Sequence, residues 1–217
     1  MNENYADAFA AVWTALASAL RTEAPTEEVV AALRNPELLA QWPLTDTELG
    51  EVGAGATTGV AELQASDETW QEIADDQFKL IRGPGEPIAV PWESVYRSLE
   101  GLLFEAQTMQ VREFYKRFNL QAPNLNVEPD DHISLELDFL VQLLTRGLAA
   151  SAQGDADVAR QHLDAHDEFC RTHLLRWGPT FFTRLTDGAT TRFYRGIGLL
   201  GQDAMKRLGA LLEPDKR

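Results

Sequence analysis

The chain has 217 residues, 44% of them hydrophobic, which suits one globular domain with a sizeable buried core and excludes a disordered polypeptide. Its formal net charge of −15 excludes a nucleic-acid-binding protein, and its single cysteine, Cys170, excludes an internal disulfide. No apolar run approaches the roughly 20 residues of a membrane-spanning helix, and the start, MNENYADAF, is acidic where a secretory signal would be basic. A cytoplasmic protein, not integral to a membrane, is expected.

In chain order, Phe9, Val12, Trp13, Leu16 and Leu20 share one face of a first helix. Asn35-Pro36 reads as an N-cap followed by proline at the first helical position. Thr45-Asp46-Thr47-Glu48 fits a capping box. The small residues of GEVGAGATTG, Gly50 to Gly59, suit a helix packed closely on a neighbour; a phosphate loop would want a preceding strand and a Gly-Lys-Ser/Thr or GxGxxG order, and has neither. Ser66 or Asp67 can cap a helix carrying Trp70, Ile73 and Phe78. RGPGEPIAVPWES, Arg82 to Ser94, breaks the pattern with two glycines and three prolines, yet Ile88, Val90 and Trp92 argue for an ordered loop.

Thr108 opens a helix with Val111, Tyr115 and Phe118 inward. NLQAPNLNVEP, Asn119 to Pro129, is a candidate hinge between two helical halves, and such hinges permit domain swapping. Ile133, Leu137, Leu140, Val141, Leu144 and Leu148 mark a mostly buried helix. Asp155 or Asp157 begins a long helix through Leu174, and a last helix carries Tyr194, Ile197, Met205, Leu208 and Leu212. No period-two strand pattern appears. The expected fold is all-α, a single globular domain of about ten helices.

The negative charge is segregated. Ten acids and no Lys or Arg lie between Asn35 and Phe78, and five more acids without a base lie between Phe118 and Thr145. Such faces keep a protein soluble and also draw cationic partners at salt-sensitive rates.

EPDDHISLELDFL, Glu128 to Leu140, places Asp130, Asp131 and His132 before the buried helix. Carboxylates there accept orphan N–H groups and oppose the helix dipole. Capping does not account for His132, whose cationic form is unfavourable at a positive helix end. Glu136, one turn on, could share a proton with it or bind a guanidinium. Two ligand types fall short of a metal site, which wants three or four converging groups. Capping, catalysis, metal binding and partner recognition stay open from these residues alone. His162, His166, Cys170 and His173 share a helical face but span roughly 16 Å, too far to surround one ion. Cys170 and His173 are expected to face the core, with His162 and His166 at its rim. Nothing resembles a nucleophile elbow or HExxH. No catalytic residue, metal ligand or cofactor site is assigned.

GPGEPIAVPWESVY (Gly83–Tyr96), EPDDHISLELDFL, THLLRW (Thr172–Trp177) and FYRGIG (Phe193–Gly198) together resemble the TorD/DmsD/NarJ-type chaperones, all-helical cytoplasmic proteins that assist maturation of molybdenum-cofactor oxidoreductases. QWPL (Gln41–Leu44) and the FYR segment place the closest resemblance in the DmsD branch. The resemblance covers roughly residues 38 to 205. It implies a non-enzymatic protein that binds the twin-arginine signal peptide of a molybdopterin oxidoreductase precursor and holds it from export until the cofactor is inserted, with the export machinery as a further partner. Recognition residues carry over at Leu80, Pro91, Trp92, Asp131 and His132; Ser94, Tyr96 and Asp130 belong to the same motifs. The chain departs from the family pattern at Gln77, Ile81, Glu105 and Ser134.

A twin-arginine leader presents two guanidiniums and then an apolar segment. Asp130, Asp131 and Glu136 are the expected takers of the arginine forks. Trp92, Tyr96, Leu80 and Val90 are the expected apolar surface, and Trp92 could stack on a guanidinium. Two readings compete from other classes: a metal- or nucleotide-dependent hydrolase using His162, His166 and His132, and a helical adaptor for the folded enzyme subunit.

Overall fold

The computed structural model describes residues 3–45, 53–98, 106–123 and 128–213. Its regular structure is helical: α1 (Glu3–Ala19), α2 (Glu27–Leu33), α3 (Pro36–Ala40), α4 (Ala54–Gln64), α5 (Trp70–Gln77), α6 (Glu93–Arg97), α7 (Ala106–Arg117), α8 (Ile133–Ala152), α9 (Ala156–Phe169), α10 (Leu175–Gly188) and α11 (Arg192–Leu212). Two π-helical turns extend this set, Phe78–Arg82 at the end of α5 and Cys170–Leu174 between α9 and α10. Among the described residues there is no strand, only an isolated antiparallel bridge between Trp92 and His132. None of the described helices is long and apolar enough to cross a membrane. The fold is all-α, as the periodicity indicates.

The core forms where the apolar stripes meet. Phe9, Val12, Trp13, Leu16 and Leu20 of the first stripe are all at most 1% exposed, and each such side chain contributes about 1.5–3 kcal/mol by leaving water. They face α8, whose Ile133, Leu137, Leu140 and Leu144 are equally buried. On the other side α8 packs against α9; α10 packs on α11, and α11 on α4. One hydrophobic cluster runs from Ala6 to Leu212. At the α4–α11 crossing a Cβ on Gly59 would sit 3.0 Å from the Gly196 carbonyl oxygen and 2.8 Å from Leu200 Cγ. The small residues there serve close helix packing; Gly50, Glu51 and Val52 lie outside the described residues.

Several helix starts follow the sequence. Asn35 Oδ1 accepts the Glu37 and Leu38 N–H groups at 2.8 and 3.3 Å, and Asp155 caps α9 through the Val158 N–H. The start of α5 is a correction. Thr69, not Ser66 or Asp67, is its N-cap, with Glu72 closing a reciprocal capping box. Ser66 is taken by Arg34 and Glu68. The box at Thr45–Glu48 falls largely outside the described residues.

Candidate functional site

The loop from Arg82 to Trp92 is built on two turns of positive φ, Gly83 at 61° and Gly85 at 142°, a region that favours glycine. The Ala89 N–H donates to the Leu80 carbonyl at 2.8 Å, closing the loop onto the π turn. Val90 and Pro91 are buried; Ile88 is largely exposed but rests against Gly188 at the end of α10. This brings Pro91–Glu93 alongside Asp131–Ile133. Glu93 N–H donates to the Asp131 carbonyl at 3.0 Å and Ile133 N–H to the Pro91 carbonyl at 2.8 Å. Across this bridge the Trp92 and His132 rings meet edge to face, centroids 5.8 Å apart.

The acidic triplet divides its work differently from the expectation that both aspartates cap the following helix. His132 itself is the N-cap of α8: its Nδ1 accepts the Ser134 N–H at 3.2 Å and lies 2.9 Å from the Ser134 hydroxyl. Accepting at Nδ1 places the ring proton on Nε2. Burial, helped by the positive charge of Arg21, lowers the His132 pKa to about 3, so the ring is neutral and the objection to a cation at a helix N-terminus disappears. Asp131 caps a different helix. Its Oδ2 accepts the Ser94 N–H of α6 at 2.7 Å, and its Oδ1 accepts the Thr108 hydroxyl of α7 at 2.8 Å. Asp130 is gripped by Arg112 of α7, whose Nη2 and Nε lie 2.6 and 3.0 Å from Oδ2. Thr108 and Arg112 stand at i and i+4 on α7, so both face the triplet. Arg112 escaped the sequence reading because nothing local ties it to Asp130.

Glu136 lies deeper. Its Oε2 accepts the Trp177 indole N–H at 3.3 Å, and burial beside Glu93 and Asp131 pushes its pKa well above the usual carboxylate range. Asp130, Asp131 and Glu136 are all 0% exposed. The carboxylates expected to take a ligand's arginine forks thus have internal partners. Tyr96 is half-buried against Trp177 at 5.3 Å, with the Arg184 guanidinium 5.1 Å from its ring centroid; burial raises its hydroxyl pKa to about 12. Glu93 clips α6 to the second π turn through His173 Nδ1 at 2.8 Å, and Arg97, paired with Glu93 inside α6, donates to the Thr172 carbonyl at 2.9 Å.

Trp92, Ser94, Asp131 and His132 are therefore directly joined, with Tyr96 and Glu136 linked through Trp177. Leu80 is fully buried and bound to the far end of the loop through Ala89. Six polar side-chain atoms of this region are buried without a hydrogen-bond partner among the described residues: Trp92 Nε1, Ser94 Oγ, Tyr96 Oη, Asp130 Oδ1, His132 Nε2 and Glu136 Oε1. Of the family departures, Gln77 donates to the Arg21 and Thr22 carbonyls in the turn that follows α1. Ile81 is core, Ser134 belongs to the His132 cap, and Glu105 lies outside the described residues.

The histidine series scatters. His162 sits beside Phe118 and bonds the Val158 carbonyl. His166 is not at the rim but fully buried, because its Nε2 accepts the Trp13 indole N–H at 3.4 Å while Nδ1 faces Asp167. His173 serves Glu93. No group of three or more His, Cys, Asp or Glu side chains able to hold a metal occurs among the described residues.

Comparison with known proteins agrees with the motifs. The family model described as nitrate reductase delta subunit matches residues 45–183. The chain is 29% identical over 177 residues to the Tat proofreading chaperone DmsD of Salmonella typhi, covering 82% of this chain and 76% of that one. It is 27% identical over 150 residues to the chaperone protein TorD of Aliivibrio salmonicida, covering 69% and 68%. To TorD of Vibrio cholerae it is 33% identical over 155 residues, covering 71% and 65%. The chain belongs to the nitrate reductase delta subunit family, with the TorD and DmsD chaperones, and is a chaperone rather than an enzyme.

Proposed function

We propose that this chain works in the cytoplasm, where it binds the twin-arginine signal peptide of a molybdenum-cofactor oxidoreductase precursor and delays its export until the cofactor is in place. The observation that carries the reading is the Trp92–His132 pair: two rings fixed edge to face by a main-chain bridge, each with a buried N–H lacking an acceptor among the described residues. A buried donor left unpaired costs about 1–3 kcal/mol. An extended peptide supplies main-chain carbonyls that relieve that cost. Leu80, Pro91, Val90 and Tyr96 are the apolar support in this reading, Ser94 and Asp131 hold the wall in shape, and Asp130 and Glu136 back it from within. A leader that orders on binding loses entropy, so micromolar affinity is expected.

Calorimetry against synthetic twin-arginine leaders of molybdopterin oxidoreductase precursors tests the proposal. Trp92→Ala is expected to weaken binding by about tenfold or more with the fold intact by circular dichroism. Equal affinity in the folded variant removes the site.

A further inference from the structure

Of the five acids in the base-free stretch from Phe118 to Thr145, Asp130, Asp131 and Glu136 are sealed inside. A cation drawn to that stretch meets the two that reach solvent, Glu128, 21% exposed, and Asp138, 39% exposed. Both are bound to the turn that follows α1. Glu128 accepts the Thr22 hydroxyl and lies 3.7 Å from His132 Nε2, the buried N–H without a bonded acceptor among the described residues. Asp138 already holds a guanidinium. Arg21 meets it end-on, Nη1 3.0 Å from Oδ2 and Nη2 3.4 Å from Oδ1, one donor for each oxygen.

That fork is in water, with the Arg21 side chain 54% exposed, and exposed ion pairs of this kind contribute little and exchange readily. Asp138 also lines a groove of about 510 Å³ whose walls include Leu120, Ala122, Pro123, Leu135 and Val141. A carboxylate at the edge of an apolar trough matches a cationic residue next to apolar ones. The planar two-oxygen fork matches arginine better than lysine, whose ammonium is a point charge.

We propose that Asp138 is the subsite for a leader arginine, that Arg21 is the resident placeholder the incoming guanidinium displaces, and that the groove takes the apolar residues beside that arginine. This rests on the leader-binding reading and adds an address for the arginine that the buried triplet does not provide. Arg21 also shows that a guanidinium fits there without rearrangement of the backbone. Because leaving and arriving groups are alike, no charge is created or buried in the exchange.

The test uses fluorescence anisotropy of the full chain with a labelled twin-arginine leader and with the same peptide carrying lysine at both arginines. Asp138 and Arg21 are exposed, so substitution leaves the fold intact, and melting curves verify this. Made together with Arg21→Gln, so that no resident guanidinium competes, Asp138→Asn is expected to weaken the arginine peptide about threefold and to leave the lysine peptide nearly unchanged. Arg21→Gln is expected to tighten the arginine peptide about threefold by removing the competitor. If Trp92→Ala weakens binding while adding Asp138→Asn to Arg21→Gln does not, leader binding stands and this subsite falls. If Arg21→Gln binds more weakly, the placeholder falls. If the wild-type chain binds no leader, the leader-binding reading itself fails.

Discussion

His132 stands at the positive end of α8 as a neutral acceptor, and this fixes the sign of its effect on stability. Its pKa is near 6.5 in the unfolded chain and about 3 in the folded one. Between those values the unfolded chain binds the extra proton, so stability is complete above pH 6.5 and is lost as pH falls toward 3. In that window each pH unit costs up to about 1.4 kcal/mol from this residue. His132→Asn keeps an N-cap acceptor and cannot titrate. Urea midpoints at pH 6.5 and 5 should then fall less for the variant than for wild type, and parallel slopes would deny His132 its neutral, buried state. Glu136 acts in the opposite sense, because its raised pKa favours the folded state below the ordinary carboxylate range and loses that contribution as pH rises.

At the scale of elements, the device that unites the site is one carboxylate. The Asp131 side chain accepts the Ser94 N–H of α6 and the Thr108 hydroxyl of α7 while its own residue leads into α8. Asp131→Ala leaves a buried N–H and a buried hydroxyl unpaired, at about 1–3 kcal/mol for each group. Thermal denaturation should show the loss together with faster proteolysis near residues 93–98, and a change under about 0.5 kcal/mol, the usual range for a surface substitution, would place the capping role elsewhere. Helix existence was legible because each apolar stripe repeats at 3.6, and Asn35 and Asp155 were legible because they cap their own helices. Asp131 was not, since the N–H it caps, that of Ser94, lies 37 positions earlier in the chain. Nor was the burial of His166, which depends on Trp13, 153 positions away. The opposition of Pro-Trp and Asp-Asp-His was readable only through the family resemblance, since main-chain pairing between a loop and a helix start leaves no periodic trace.

At the scale of the whole molecule, the charge of −15 and its concentration in two base-free segments favour capture of a cationic segment by steering. Raising salt from about 0.05 M to about 0.5 M shortens the Debye length severalfold. Stopped-flow measurements should accordingly show association with a twin-arginine leader slowing about tenfold, with dissociation changing much less. An on-rate indifferent to salt would mean the acidic segments serve only solubility. We also propose, from the sequence, that residues 119–129, of which 124–127 lie outside the described residues, act as a hinge between the N-terminal and C-terminal helical halves. Light scattering would detect a dimer formed by exchange across it.

The bridge between Trp92 and His132 has a consequence for assembly. Its two halves are contributed by opposite sides of that proposed hinge, so a nascent chain ending before Glu128 owns only half of the proposed leader site. If two copies traded their C-terminal helices, every receptor would be a composite, the indole from one polypeptide and the imidazole from the other. A mixture of Trp92→Ala and His132→Ala chains would then recover one intact site in each exchanged pair that holds one chain of each kind, whereas a population of strict monomers would recover none.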